Sequence, residues 1–119
     1  MKISIIGFGK LGSSTGFFLS NKKIDVYGYD INNKILEGFK KKKPLFYEKS
    51  CEKFIKNNKI NLCYKIEDAI KNTNLTYVVL PTPSIRNSKK FDSSFIFDAI
   101  NKIFPILKKK KRLFWDEES

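Results

Sequence analysis

Ile3-Ser4-Ile5-Ile6-Gly7-Phe8-Gly9-Lys10-Leu11-Gly12 decides how this chain is read. The apolar run is short, rich in β-branched residues and stops at Gly7, which marks a buried parallel strand rather than part of a helix. From Gly7 to Gly12 the spacing is G-x-G-x-x-G. A helix is predicted next: Gly12, Ser13, Ser14 and Gly16 are small enough for it to lie close to a sheet, and Leu11, Phe17, Phe18 and Leu19 supply apolar side chains. A second apolar run, Ile24 to Tyr29, then ends at Asp30, eighteen residues beyond Gly12.

Each part of the stretch meets a requirement of holding a dinucleotide. Gly7 permits a tight strand-to-helix turn, Gly9 lets the backbone approach a pyrophosphate, and Gly12 allows the helix to pack closely on the strand. The N-terminus of that helix offers unpaired N–H donors and the positive end of the helix dipole, so an anion is stabilised without a basic side chain. Asp30 can accept hydrogen bonds from ribose hydroxyls. A 2′-phosphate in the same place would meet like charge, so the expected cofactor is NAD rather than NADP. The plainer reading is a glycine-rich turn in an ordinary β-α-β unit with a solvated acid after it. The combined register of strand, glycines, helix, strand and acid favours the dinucleotide.

Working outward, 119 residues make one domain, enough for a core but short for a complete two-domain enzyme. No apolar stretch approaches the roughly 20 residues of a membrane span, and the N-terminus opens a core strand rather than a signal peptide, so a cytoplasmic chain is expected. Cys51 and Cys63 are the only cysteines and histidine is absent, which argues against a metal site or histidine-based catalysis. The formal net charge is +12, carried mainly by lysine, including Lys40 to Lys43 and Lys108 to Lys111. Nucleic acid is one reading of such charge. Arginine, the better base reader, occurs only as Arg86 and Arg112, and no nucleic-acid motif accompanies the lysines, so they are read as solvated surface that raises encounter rates with anionic ligands.

After Asp30, Asn32 or Asn33 can cap a helix to about Lys42, with Ile35, Leu36 and Phe39 inward and Pro44 ending it. Ser50 can cap a short helix with Cys51, Phe54 and Ile55 facing inward. Ile60 to Tyr64 reads as the third strand, with Cys63 a buried hydrophobe rather than a nucleophile. A brief helix is placed over Glu67 to Asn72. The fourth strand, Thr76 to Leu80, ends at Pro81-Thr82-Pro83-Ser84, where two prolines deny further ladder donors. At the carboxyl end of a parallel strand, Thr82 stands where a hydroxyl can reach a cofactor or simply be solvated. A helix carrying Phe95, Ile96, Ala99, Ile100 and Ile103 comes last, and Pro105 is expected to kink or break it.

The segments GFGKLG, DVYGYDIN, PLFYE, YKIEDAIKNTNLTYVVLPTPS and KKFDSSFIFDAI together resemble the N-terminal NAD-binding domain of the UDP-glucose/GDP-mannose dehydrogenase family. The resemblance runs from about Met1 to Lys111, and its V-L-P-T-P and Y-E segments are more specific than the glycines. It implies a Rossmann-like, doubly wound α/β sheet and a family chemistry in which the C6 alcohol of a nucleotide sugar is oxidised to a carboxylate with NAD. Carried over by motif, Gly7, Gly9, Lys10, Leu11 and Gly12 would hold the pyrophosphate, Asp30 the ribose, and Thr82 the cofactor beyond strand four. Glu48 matches a loop bordering the substrate crevice. The family's lysine five residues after the ribose aspartate falls on Ile35, with Lys34 one position early as the nearest match.

Lys-Ser-Cys comes after Glu48 where the family has Pro-Gly-Leu, and the chain runs Leu113-Phe114-Trp115-Asp116-Glu117-Glu118-Ser119 where the family continues into a fifth strand. The expectation is therefore residues 1–112 as an incomplete cofactor domain, the first half of the doubly wound sheet in the order 3-2-1-4, with residues 113–119 a divergent tail. No catalytic residue is assigned. Strand 76–80 would keep a free edge, open to self-association or a partner chain. A free-standing NAD-binding module and a basic nucleic-acid-binding protein are the alternatives.

Overall fold

The structure, a computed structural model, describes residues 1–44, 49, 52–56, 59–79 and 94–114. The chain divides into two compact units, Met1–Val79 and Leu80–Ser119. In the first unit, the opening apolar run forms β1 (Lys2–Ile6), and the glycine turn leads into α1 (Lys10–Asn21). Next come β2 (Asp25–Tyr29), α2 (Asn33–Lys40), the single turn α3 (Glu52–Lys56), β3 (Asn61–Cys63), α4 (Ile66–Lys71) and β4 (Leu75–Val78). The strands lie in the order β3-β2-β1-β4, and every pairing is parallel. This is the expected Rossmann-like half-sheet, with the helices serving as crossovers between parallel strands.

β1 is apolar because it is central, paired on both sides and covered on both faces. Strand alternation sends Ile3 and Ile5 to one face and Ser4 and Ile6 to the other. Ile3 and Ile5 join Phe8, Phe17, Val26, Phe39, Ile55 and Ile60 in one buried cluster. On the opposite face the buried Ser4 hydroxyl lies 2.8 Å from the Thr76 hydroxyl and accepts from that of Thr73 at 2.9 Å. The contacts tie β1 to β4 and to the residues just after α4, and they keep a polar pair of buried side chains satisfied.

The helices differ from expectation in ways with clear causes. Only Gly12, Ser13, Gly16 and Phe17 of α1 are buried. Leu11 and Phe18 were expected to contribute apolar cover and instead are 68 and 59% exposed. At about 100° per residue the small-residue stripe takes the sheet contact and rotates both of these outward. The ammonium of Lys22 lies 5.6 Å from the Phe18 ring centre and shields it in part. Asn32 caps α2, accepting from the Lys34 N–H at 3.0 Å, and Leu36 and Phe39 are buried as expected. The helix stops at Lys40, before Pro44 is reached. Lys42 adopts a left-handed φ of 60°, and the Lys43 N–H donates back to the Gly38 carbonyl at 2.8 Å, the closing bond of a helix C-terminus. β3 is two residues shorter than expected, and β4 begins one residue early, at Leu75.

The second unit contains α5 (Ser94–Phe114), which continues through Pro105 without a break. A proline at this position removes one N–H bond to the carbonyl of Asn101. Asn101 and Pro105 are both exposed, so water can satisfy that carbonyl. Ile103 is buried, whereas Ile100, Phe104 and Leu107 are exposed along one stripe. No described helix is long and apolar enough to cross a membrane.

Candidate cofactor-binding site

The site is built where β1 and β2 end side by side. Gly7 comes directly after β1 with a φ of 103°, a left-handed conformation that glycine adopts freely and other residues rarely do. Its N–H donates to the Tyr29 carbonyl at 2.8 Å, holding the turn against the end of β2. Gly12, in the first turn of α1, approaches Gly7 so closely that a Cβ there would stand 1.9 Å from the Gly7 carbonyl oxygen. The two glycines therefore make one feature: the turn folds tightly because the helix behind it has no side chain at the crossing.

Gly9 is the N-cap of α1 and provides no side chain to satisfy the first-turn donors, and no acidic residue occupies that turn. The Gly9 carbonyl instead accepts from the Ser13 N–H at 2.8 Å, the first bond of the helix. A helix start with no side-chain cap and no acid in its first turn fits an incoming diphosphate. Lys10 and Leu11 are exposed beside it. The structure thus brings Gly7, Gly9, Lys10, Leu11 and Gly12 together, with Leu11 contributing backbone to the turn rather than a side chain to the core.

Asp30 lies immediately after β2 and is half-buried. One carboxylate oxygen accepts from the Phe8 N–H at 2.8 Å, and the other accepts from the Asn32 N–H, also at 2.8 Å. The acid therefore faces the glycine turn. Neighbouring Tyr29 has its phenol pushed above the usual range, first by burial and then by the charge of Asp30, and so stays protonated near neutrality. Lys34 is exposed in the first turn of α2. Glu48 and Thr82 lie outside the described residues.

Two parts of the site escaped the sequence reading. Phe8, an unspecified position in the motif, is fully buried. Its ring meets Phe39 edge-on at 5.2 Å and Phe17 at 6.4 Å. Gly28 and Gly16 give it room, since a Cβ at either would come within 2.8 or 3.0 Å of it. The second is the bond that the Asn32 N–H donates to Asp30, an Asx turn signalled by the spacing Asp30-x-Asn32.

Burial, then the charge of Asp68, pushes the Cys63 thiol up to about 11, so it is a neutral buried group rather than a nucleophile. No three His, Cys, Asp or Glu side chains cluster as a metal site among the described residues. A hollow of about 300 Å³ between α2 and β3, lined by Phe39, Lys40, Lys42, Ile60, Leu62 and Tyr64, contains none of the glycine-turn residues or Asp30.

Residues 1–115 match the UDP-glucose/GDP-mannose dehydrogenase family, NAD binding domain. A UDP-N-acetyl-D-mannosamine dehydrogenase from Methanococcus maripaludis is 30% identical over 112 residues, which is 90% of this chain and 26% of the relative. One of the same name from Methanocaldococcus jannaschii is 31% identical over 110 residues, covering 89 and 25% of the two chains. Among solved structures, a GDP-mannose dehydrogenase ternary complex from Pseudomonas aeruginosa superposes with a TM-score of 0.78 at 21% identity, over 87% of this chain and 24% of that one. A UDP-D-ManNAc dehydrogenase from Pyrococcus horikoshii gives 0.77 at 23% identity, over 89 and 26%. At these identities the structural likeness speaks for the fold. The chain spans about a quarter of the length of the curated relatives it matches. With the family match extending over 115 of its 119 residues, this chain belongs to the UDP-glucose/GDP-mannose dehydrogenase family and carries that family's NAD-binding domain.

Proposed function

We propose that this chain serves as the cofactor-holding part of a nucleotide-sugar 6-dehydrogenase, an enzyme that oxidises the sugar C6 alcohol to a carboxylate with NAD. The observation that carries the reading is the pairing of an uncapped glycine turn, closed by Gly7 and Gly12, with a carboxylate at the end of β2 facing it. Lys10, Leu11 and Gly12 would offer first-turn backbone donors to the diphosphate, and Gly7 and Gly9 would keep the approach clear. Asp30 would accept from the adenine-side ribose, with Lys34 close by in sequence, and Thr82 would meet the cofactor beyond β4. Glu48 would border the sugar. NAD, when bound, supplies the hydride acceptor; the chain's own part is to bind, orient and select it. The names of the matched relatives favour UDP-N-acetyl-D-mannosamine as the sugar nucleotide of the whole enzyme. Residues 1–112 would act as one cofactor domain in the cytoplasm.

Isothermal titration of the purified chain with NAD and NADP tests this reading. Saturable NAD binding, with Asp30→Ala weakening NAD more than NADP, is expected. Equal loss for both cofactors would remove Asp30 from the ribose site. No turnover is expected from the chain alone with NAD and a UDP-sugar, because no sugar site with a covalent nucleophile is formed among the described residues. NADH formation abolished by replacing Cys51 or Cys63 would overturn that.

A further inference from the structure

We propose that Asp30 positions the diphosphate-binding turn as well as binding ribose, so that it controls affinity for phosphate groups it does not touch. This rests on the NAD-binding reading above, and on a clamp made by the chain's own groups. The Phe8 N–H lies in the middle of the turn, between Gly7 and Gly9, and donates to one Asp30 oxygen at 2.8 Å. The other Asp30 oxygen accepts from the Asn32 N–H at 2.8 Å, and the Asn32 side chain accepts from the Lys34 N–H at 3.0 Å. One carboxylate therefore joins the phosphate turn to the start of α2. The Phe8 ring fixes the same residue from below, fully buried against Phe17 and Phe39. With its N–H and its ring both held, Phe8 leaves the flanking glycines little freedom, and the turn meets its ligand preorganised.

The lone-pair count allows both roles at once. A carboxylate offers about four acceptor sites. Two are taken by Phe8 and Asn32, and two remain for the neighbouring hydroxyls of a ribose. Because the N–H bonds are charge-assisted, they are stronger than neutral ones and worth keeping when ribose arrives.

The proposal is testable because simple electrostatics predicts the opposite sign. Asp30 is an anion beside an anion site, so deleting its charge should strengthen binding of inorganic pyrophosphate, which has no ribose. If Asp30 holds the turn, Asp30→Ala should instead weaken pyrophosphate by about tenfold, the scale of one lost charge-assisted hydrogen bond. Asp30→Asn, which keeps one acceptor oxygen, should fall between Ala and wild type. Asp25→Ala removes an exposed carboxylate at the other end of β2, away from the turn, and should leave pyrophosphate affinity unchanged.

Pyrophosphate and NAD titrations by NMR, with amide exchange of Phe8 measured in the absence of ligand, separate the outcomes. Weakened pyrophosphate binding together with lost Phe8 protection in Asp30→Ala supports the clamp. Unchanged or tighter pyrophosphate binding overturns it. If the wild-type chain binds neither probe, the proposed function fails, and the clamp is then decided by exchange alone: a Phe8 amide equally protected in wild type and Asp30→Ala overturns it.

Discussion

Gly12 and Cys63 show how much a single position can decide. A methyl group at Gly12 would overlap a backbone carbonyl, which has no rotamer to escape into. We expect Gly12→Ala to destabilise the chain by about 1–3 kcal/mol, the usual range for overpacking, and to abolish NAD binding; urea unfolding and cofactor titration check the two effects. Cys63 yields a pH prediction. Its thiol is raised from an ordinary 9.0 to about 11, so the folded state holds the proton more tightly than the unfolded one. The resulting stability is fully present below pH 9.0 and is lost as pH rises through about 11. Tyr29 shifts in the same direction. The melting temperature should fall across this window, less steeply in Cys63→Ala, and a disulfide reagent should leave native Cys63 unmodified at pH 8. The glycine turn, the place of Asp30 at the end of β2 and the burial of Cys63 were legible in the sequence because each depends on local spacing or residue chemistry. The burial of Phe8 was not, since the space for its ring is made by Gly16 and Gly28, distant in sequence and silent by themselves.

At the level of elements, the sequence predicted each described strand and helix, and the errors concern faces and ends. Hydrophobic periodicity could place α1, but it could not tell that small residues would take the sheet contact from Leu11 and Phe18. Lys42 ended α2 through a left-handed turn that lysine gives no sign of adopting. Pro105 misled for a different reason: its cost falls on a solvent-facing carbonyl rather than on the course of the helix. Pro105→Ala restores the missing donor and should stabilise α5 by about 1–3 kcal/mol, read as increased helicity and a higher melting temperature. β4 offers another test. It pairs with β1 on one side, and Leu75, Tyr77 and Val78 are each more than 40% exposed. We expect the isolated chain to self-associate through this uncharged strand, and Val78→Lys to suppress it, since edge lysines oppose strand addition. Sedimentation velocity at several concentrations decides; a wild-type chain that stays monomeric throughout ends the idea.

For the molecule as a whole, net charge is the dominant feature. With 24 basic residues against 12 acidic, self-repulsion should lower stability at low ionic strength and be screened as salt is added. The melting temperature should therefore rise between about 0.01 and 0.15 M salt, where the Debye length shrinks from about 30 to 8 Å. Binding to random DNA, if seen at the lower salt, should vanish at the higher; sequence-selective binding that survived would revive the nucleic-acid reading. The sheet order has a further consequence, in time rather than in energy. β1 is the first strand made, yet one of its two neighbours is β4, with Ile3 aligned to Leu75 across a separation of 72 residues. At roughly 5–20 residues per second, the ribosome needs about 4–14 s to deliver that neighbour. Until then β1, an inner strand of the four, is an edge, and the nascent chain must wait with this apolar strand half-paired.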